Sequence, residues 1–189
     1  MHAVLFKTLI PAGLALLACA SASAQQVDCP DLQAVLATAE AEFAPIRGKL
    51  NVSIMPGAAV PRTAELPALL DFEEDVYETT WPLRGAWHCE IRVARMNDDA
   101  AALRRASYRC RWSSSEAFAA LKRSLAACIV TPAAREEDPE SLHLYVRQVA
   151  SGEGNDTVFV SFETNAQGVE LNVTRSVCLN RSLGGCDEE

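Results

Sequence analysis

The chain is poor in the residues from which most catalytic and metal sites are built. Its 189 residues hold three histidines, and one of them, His2, stands at the extreme N-terminus. No C-x-x-C pair, G-x-S-x-G elbow, H-E-x-x-H helix, P-loop or G-x-G-x-x-G turn occurs anywhere. The first absence argues against a thioredoxin-like redox centre and a paired-thiolate zinc site. The others remove the common signatures of serine hydrolases, metalloproteases and nucleotide binders. Lysine is scarce as well, at three residues against fourteen arginines. With a formal net charge of −8, the chain is not expected to bind nucleic acid. Carboxylates cluster in "DFEED" and "REEDPE", but neither run has the alternating oxygen-ligand spacing of a calcium loop, so both read as solvated acidic segments. The composition therefore points to no cofactor and no metal.

Long apolar stretches are also missing beyond the first two dozen residues. Lys7 precedes an apolar run from Leu9 to Ala20, which ends in the small-x-small pattern Ala22-Ser23-Ala24. A run this short cannot cross a bilayer, and the three-part pattern is that of a secretory signal peptide. Cleavage after Ala24 defines residues 1–24 as the signal and 25–189 as one mature domain, without a transmembrane segment. The expected location is periplasmic or secreted. The alternative is a lipid anchor on Cys19, because Leu16-Leu17-Ala18-Cys19 loosely resembles a lipobox.

Export changes the meaning of the cysteines. Six remain after cleavage: Cys29, Cys89, Cys110, Cys128, Cys178 and Cys186. An even number in an oxidising space predicts a disulfide framework. Seven residues separate Cys178 from Cys186, and Gly184-Gly185 lets the chain turn back, so these two are expected to pair. For the other four, a hairpin register that aligns every apolar residue sets Cys89 opposite Cys110, which leaves Cys29 for Cys128. The competing scheme links a sheet cysteine to Cys128 and gives Cys29 the other strand.

Periodicity organises the mature chain as helix, three strands, helix, three strands. "DLQAVLATAEAEF" places Leu32, Leu36, Ala39 and Phe43 on one helical face, with Pro45 and Gly48 closing it. Residues 49–72 carry prolines and glycine and read as irregular. From Val76 the period becomes two. Trp87, Cys89, Ile91 and Val93 share one face, as do Ala106, Tyr108, Cys110 and Trp112. Pairing Ile91 with Tyr108 sets Trp87 beside Trp112 and Glu90 beside Arg109. A second helix runs from a capping box at Ser113 and Glu116 through Phe118, Leu121, Leu125, Cys128 and Ile129. Three more alternating strands follow, through Leu142–Arg147, Val158–Glu163 and Val169–Thr174. The expected fold is α+β: an antiparallel sheet of about six strands with two helices packed on one face, stapled by disulfides.

The polar face of that sheet is the candidate functional surface. His88, Arg92, Arg109 and Arg111 project from the hairpin, and His143, Tyr145 and Arg147 from a later strand. Arg95, Arg104 and Arg105 ring the hairpin tip. Arginine forks suit an anionic partner, whereas Glu90, Asp98 and Asp99 stand close enough in sequence to neutralise several of them. Two function classes follow. The first is an exported, non-enzymatic binding protein of the bacterial envelope (an inhibitor, immunity factor or chaperone-like module) that contacts an unknown protein or anionic ligand through this face. The second is a small periplasmic hydrolase using His88 or His143 without a recognised motif.

Overall fold

The computed structural model describes residues 26–54, 72–98, 101–113, 118–151 and 154–178. Eight antiparallel strands form one sheet: β1 (Arg47–Ile54), β2 (Phe72–Thr79), β3 (His88–Asp98), β4 (Ala101–Trp112), β5 (Ala134–Glu137), β6 (Ser141–Ser151), β7 (Gly154–Asn165) and β8 (Gly168–Cys178). Their spatial order is β1-β2-β3-β4-β8-β7-β6-β5. Helix α1 (Cys29–Thr38) precedes the first four strands and α2 (Phe118–Cys128) precedes the second four. Each half is thus a helix followed by a four-stranded meander, and the two meanders join at β4 and β8. No internal repeat in the sequence announces this symmetry.

Eight strands correct the expected six, and both additions are edges. The side chains of β1 are largely exposed, and those of β5 entirely so. A strand held by backbone pairing at a sheet edge needs no buried stripe, so β5, read from "REEDPE" as a loop, leaves no hydrophobic signal. β1 does alternate Leu50, Val52 and Ile54. Leu50 and Val52 are nevertheless exposed, and two register shifts interrupt its pairing with β2.

The helical layer differs too. α1 is only ten residues long and packs chiefly on α2. Its expected continuation breaks into 3₁₀ turns at Ala39–Ala41 and Ala44–Ile46, separated by Glu42 and Phe43 in left-handed conformation (φ 52° and 60°). The reversal delivers Phe43, fully buried, against the Tyr108 ring at 6.2 Å. The turn Ala39–Ala41 meets β8, and α2 meets β7, where Phe118 stacks on Phe162 at 5.0 Å. The expected two helices packed on one face are therefore replaced by a helix pair in which α2 reaches the sheet at β7 and the turn after α1 reaches it at β8. The capping box at Ser113 and Glu116 involves residues 114–117, outside the described set.

One core joins the helices and 3₁₀ turns to the inner strands. Leu32, Val35, Leu121 and Leu125 pack with Ile91, Tyr108, Leu144, Val160, Leu171 and Val173. The Tyr108 hydroxyl is satisfied inside it, donating to the Trp81 carbonyl at 2.7 Å, and burial pushes its pKa far up.

Two disulfides between described residues staple the fold: Cys29–Cys128, with Cα atoms 5.0 Å apart, and Cys89–Cys110, at 4.2 Å. The hairpin register is the expected one, with Cys89 opposite Cys110, Glu90 opposite Arg109 and Ile91 opposite Tyr108. Trp87 departs from it: β3 begins one residue later, and the indole is 58% exposed while Trp112 is buried. Cys178 is disulfide-bonded as well. Its expected partner, Cys186, lies outside the described residues.

Candidate functional site

Strand alternation sends one set of side chains into the core and the other set to the opposite face of the sheet. On that opposite face, registers between neighbouring strands define rows. One row runs His88, Arg111, Glu170, Glu163 across β3, β4, β8 and β7. The next runs Glu90, Arg109, Asn172, Ser161, His143 from β3 to β6. A third contains Arg92, Ser107, Thr174, Phe159 and Tyr145. Six of the seven residues expected at the site therefore share a face.

The seventh does not. A bulge between Tyr145 and Arg147 shifts the pairing, so that Arg147 stands opposite core-facing Val158. One extra residue inverts the side of everything after it. Arg147 consequently lies on the helical side. There it pairs with Glu40 and reaches Asp156 at 3.0 Å, beside Arg175, whose Nε and terminal nitrogen both hold Asp156 at 3.0 Å. The Arg175 hydrogen bonds and charge hold Asp156 below the usual carboxylate range. This cluster fastens the 3₁₀ turn Ala39–Ala41 to the sheet.

The remaining six form two groups. On β3, Glu90 accepts from Arg92 Nε at 2.8 Å and contacts His88 Nε2 at 3.1 Å, while Arg92 also reaches Glu74 at 3.5 Å. On β4 and β8, Glu170 serves two arginines: Arg111 Nε lies 2.8 Å and Arg109 Nε 3.3 Å from its carboxylate. Arg109 Nε also donates to Asn172 Oδ1 at 2.9 Å, and Asn172 Nδ2 donates to Glu170 at 3.0 Å. Burial pushes the Glu90 and Glu170 carboxyls up, but arginine hydrogen bonds and charges outweigh it, and both lie below the ordinary range. The arginines are thus tied into a ladder of fixed pairs. Glu74, Glu170 and Asn172, the residues that tie them, escape sequence reading because their partners sit on neighbouring strands. Only the Glu90–Arg109 register was visible.

His143 and Tyr145 stand on β6, two strands beyond β8. His143 Nε2 is 4.0 Å from Glu163, and Tyr145 packs on Phe159 at 6.1 Å. Among the described residues, neither His88 nor His143 is hydrogen-bonded to a hydroxyl or thiol, and the two rings belong to different groups. The depression between α2 and β5, about 280 Å³, is lined by Phe118, Lys122, Arg135 and Glu137 and holds no histidine. No cluster of three or more potential metal ligands is found among the described residues.

Aromatic surface at the end of the ladder is a feature the sequence did not suggest. Trp87, expected in the core, stacks obliquely on the His88 ring at 5.5 Å and stays mostly exposed, and Trp81 on the same β2–β3 connection is 44% exposed.

The disulfides place the folded chain in an oxidising, extracytoplasmic compartment. Among the described residues no helix is long and apolar enough to cross a membrane. Comparison with protein families, curated proteins and solved structures finds no match for this chain.

Proposed function

We propose that this protein is an exported, non-enzymatic binding protein of the bacterial envelope, an inhibitor, immunity factor or chaperone-like module. Its contact surface is the polar face of the sheet. The observation that carries the reading is Trp87: an exposed indole resting on His88, at the end of a side-chain ladder fixed by ion pairs. Aromatic anchors beside pre-positioned polar groups are where binding energy concentrates in protein interfaces. A rigid ladder also loses little side-chain entropy when a partner covers it. The N-terminal pattern supports export, with cleavage after Ala24 and release into the periplasm or beyond. Residues 1–24 lie outside the described set. Hydrolysis has no comparable support, because neither histidine faces a nucleophile among the described residues.

The test is recovery of a stoichiometric partner from the envelope fraction on the immobilised protein. Recovery is expected to fall roughly tenfold or more with Trp87→Ala, a hot-spot loss. Arg109→Gln combined with Arg111→Gln is expected to have the same effect. Undiminished recovery with both variants, in folded protein, overturns the reading.

A further inference from the structure

Arg109 and Arg111 are held differently from the other paired arginines. Arg175 closes two nitrogens on Asp156, and Arg92 divides Nε and a terminal nitrogen between Glu90 and Glu74. Arg109 and Arg111 are engaged through Nε alone: Arg109 by Asn172 and Glu170, Arg111 by Glu170. Among the described residues, no acceptor meets their terminal nitrogens. Both side chains remain accessible, at 26% and 21%. A guanidinium anchored at Nε keeps its outer pair of N–H groups, the edge that binds a carboxylate bidentately.

Resting on the polar-face reading, we infer that Arg109 and Arg111 form a double fork for an acidic, extended segment of a protein partner, with carboxylates on alternate residues. The spacing supports this. The two arginines stand two residues apart on β4, roughly 6.6 Å along the strand. Side chains at positions i and i+2 of an extended acidic segment repeat at the same interval. Glu170 is shared by both guanidiniums and compensates only one of them directly, while Glu90 opposite Arg109 and Glu163 opposite Glu170 add carboxylates to the same rows, so the forks rather than a net local charge select the ligand. Glu90, although opposite Arg109 in the register, is engaged by His88 and Arg92, and Glu74 by Arg92. The chain's overall charge of −8 opposes an acidic partner at long range. At physiological ionic strength that field is screened within about 8 Å, so short-range forks govern binding. Preorganisation by Glu170 and Asn172 lowers the entropic cost of using two long side chains.

The test titrates the full-length exported chain with two synthetic peptides of equal charge. One alternates glutamate with serine, and the other carries its glutamates as adjacent pairs. The alternating peptide is expected to bind roughly tenfold tighter, consistent with one extra charge-assisted contact. Arg109→Lys combined with Arg111→Lys keeps both charges but removes the forks, and is expected to erase that preference while the protein stays folded. Equal affinity for the two peptides, or a preference that survives the lysine variant, overturns the inference. So does tighter binding of tripolyphosphate than of either peptide, which would mark a phosphate-bearing ligand. Failure to bind any acidic peptide sinks the ligand assignment alone, whereas the polar-face reading falls only if envelope partner recovery is insensitive to Trp87 and to the arginines.

Discussion

Glu170 carries more of the polar face than any arginine beside it, because one carboxylate compensates both Arg109 and Arg111. Arg109→Glu with Arg111→Glu looks, in the sequence alone, like a harmless surface reversal. In the structure it gathers three half-buried carboxylates, and the melting temperature is expected to fall by about 4 °C or more, on the order of 1–2 kcal/mol. Acid acts on the same groups. Glu90, Asp156 and Glu170 all have folded-state pKa values below their usual range. A depressed folded pKa stabilises the protein fully above the unfolded pKa, and that contribution is lost as pH falls through the folded one. Urea midpoints are therefore expected to be level above about pH 5 and to decline below about pH 4. A flat profile down to pH 3 would contradict the ladder. Gly168 poses a purely steric case. Its φ is +124°, and a Cβ there would lie 2.1 Å from the Trp112 carbonyl oxygen. Gly168→Ala is expected to cost about 3 kcal/mol or more by denaturant unfolding.

The hairpin β3–β4 was legible because both of its faces alternate, and only one register satisfies both. That register set Cys89 against Cys110. Replacing both cysteines by alanine is expected to lower stability by about 3 kcal/mol while peptide mapping still finds Cys29 joined to Cys128. Free thiols at both of those positions would contradict the pairing. Other elements were illegible for physical reasons. β5 buries no side chain, so its only signal is backbone pairing to β6, which a sequence does not display. The bulge at Tyr145–Arg147 carries no local sequence mark, and the contacts that Arg147 makes beyond it, to Glu40 and Asp156, lie 107 and 9 residues away along the chain. The left-handed residues Glu42 and Phe43 are neither glycine nor asparagine, so nothing local marks an end of the helical run before Pro45. Trp87 was misplaced because extending the hairpin alternation by one residue puts it in the core, whereas its backbone N–H already bonds the Arg111 carbonyl outside the strand.

At the scale of the whole molecule, two helix-plus-meander halves share one sheet. Cys29–Cys128 bridges their helices, and Cys89–Cys110 braces the first meander. This construction gives the polar face a stiff backing and leaves Trp81 and Trp87 at one end of it. For the candidate surface, alternation was enough to put six of the seven candidate residues on one face, but the neutralising partners and the exposed indole needed the third dimension. Site-specific photo-crosslinking in the native envelope tests the central claim most directly, with a benzophenone side chain placed at Tyr145 on the polar face, at Trp87 beside its His88 end, or at Arg123 on exposed α2 surface. A discrete partner adduct from Trp87 and Tyr145, and none from Arg123, is the expected result; adducts from Arg123 with none from the polar face would contradict it.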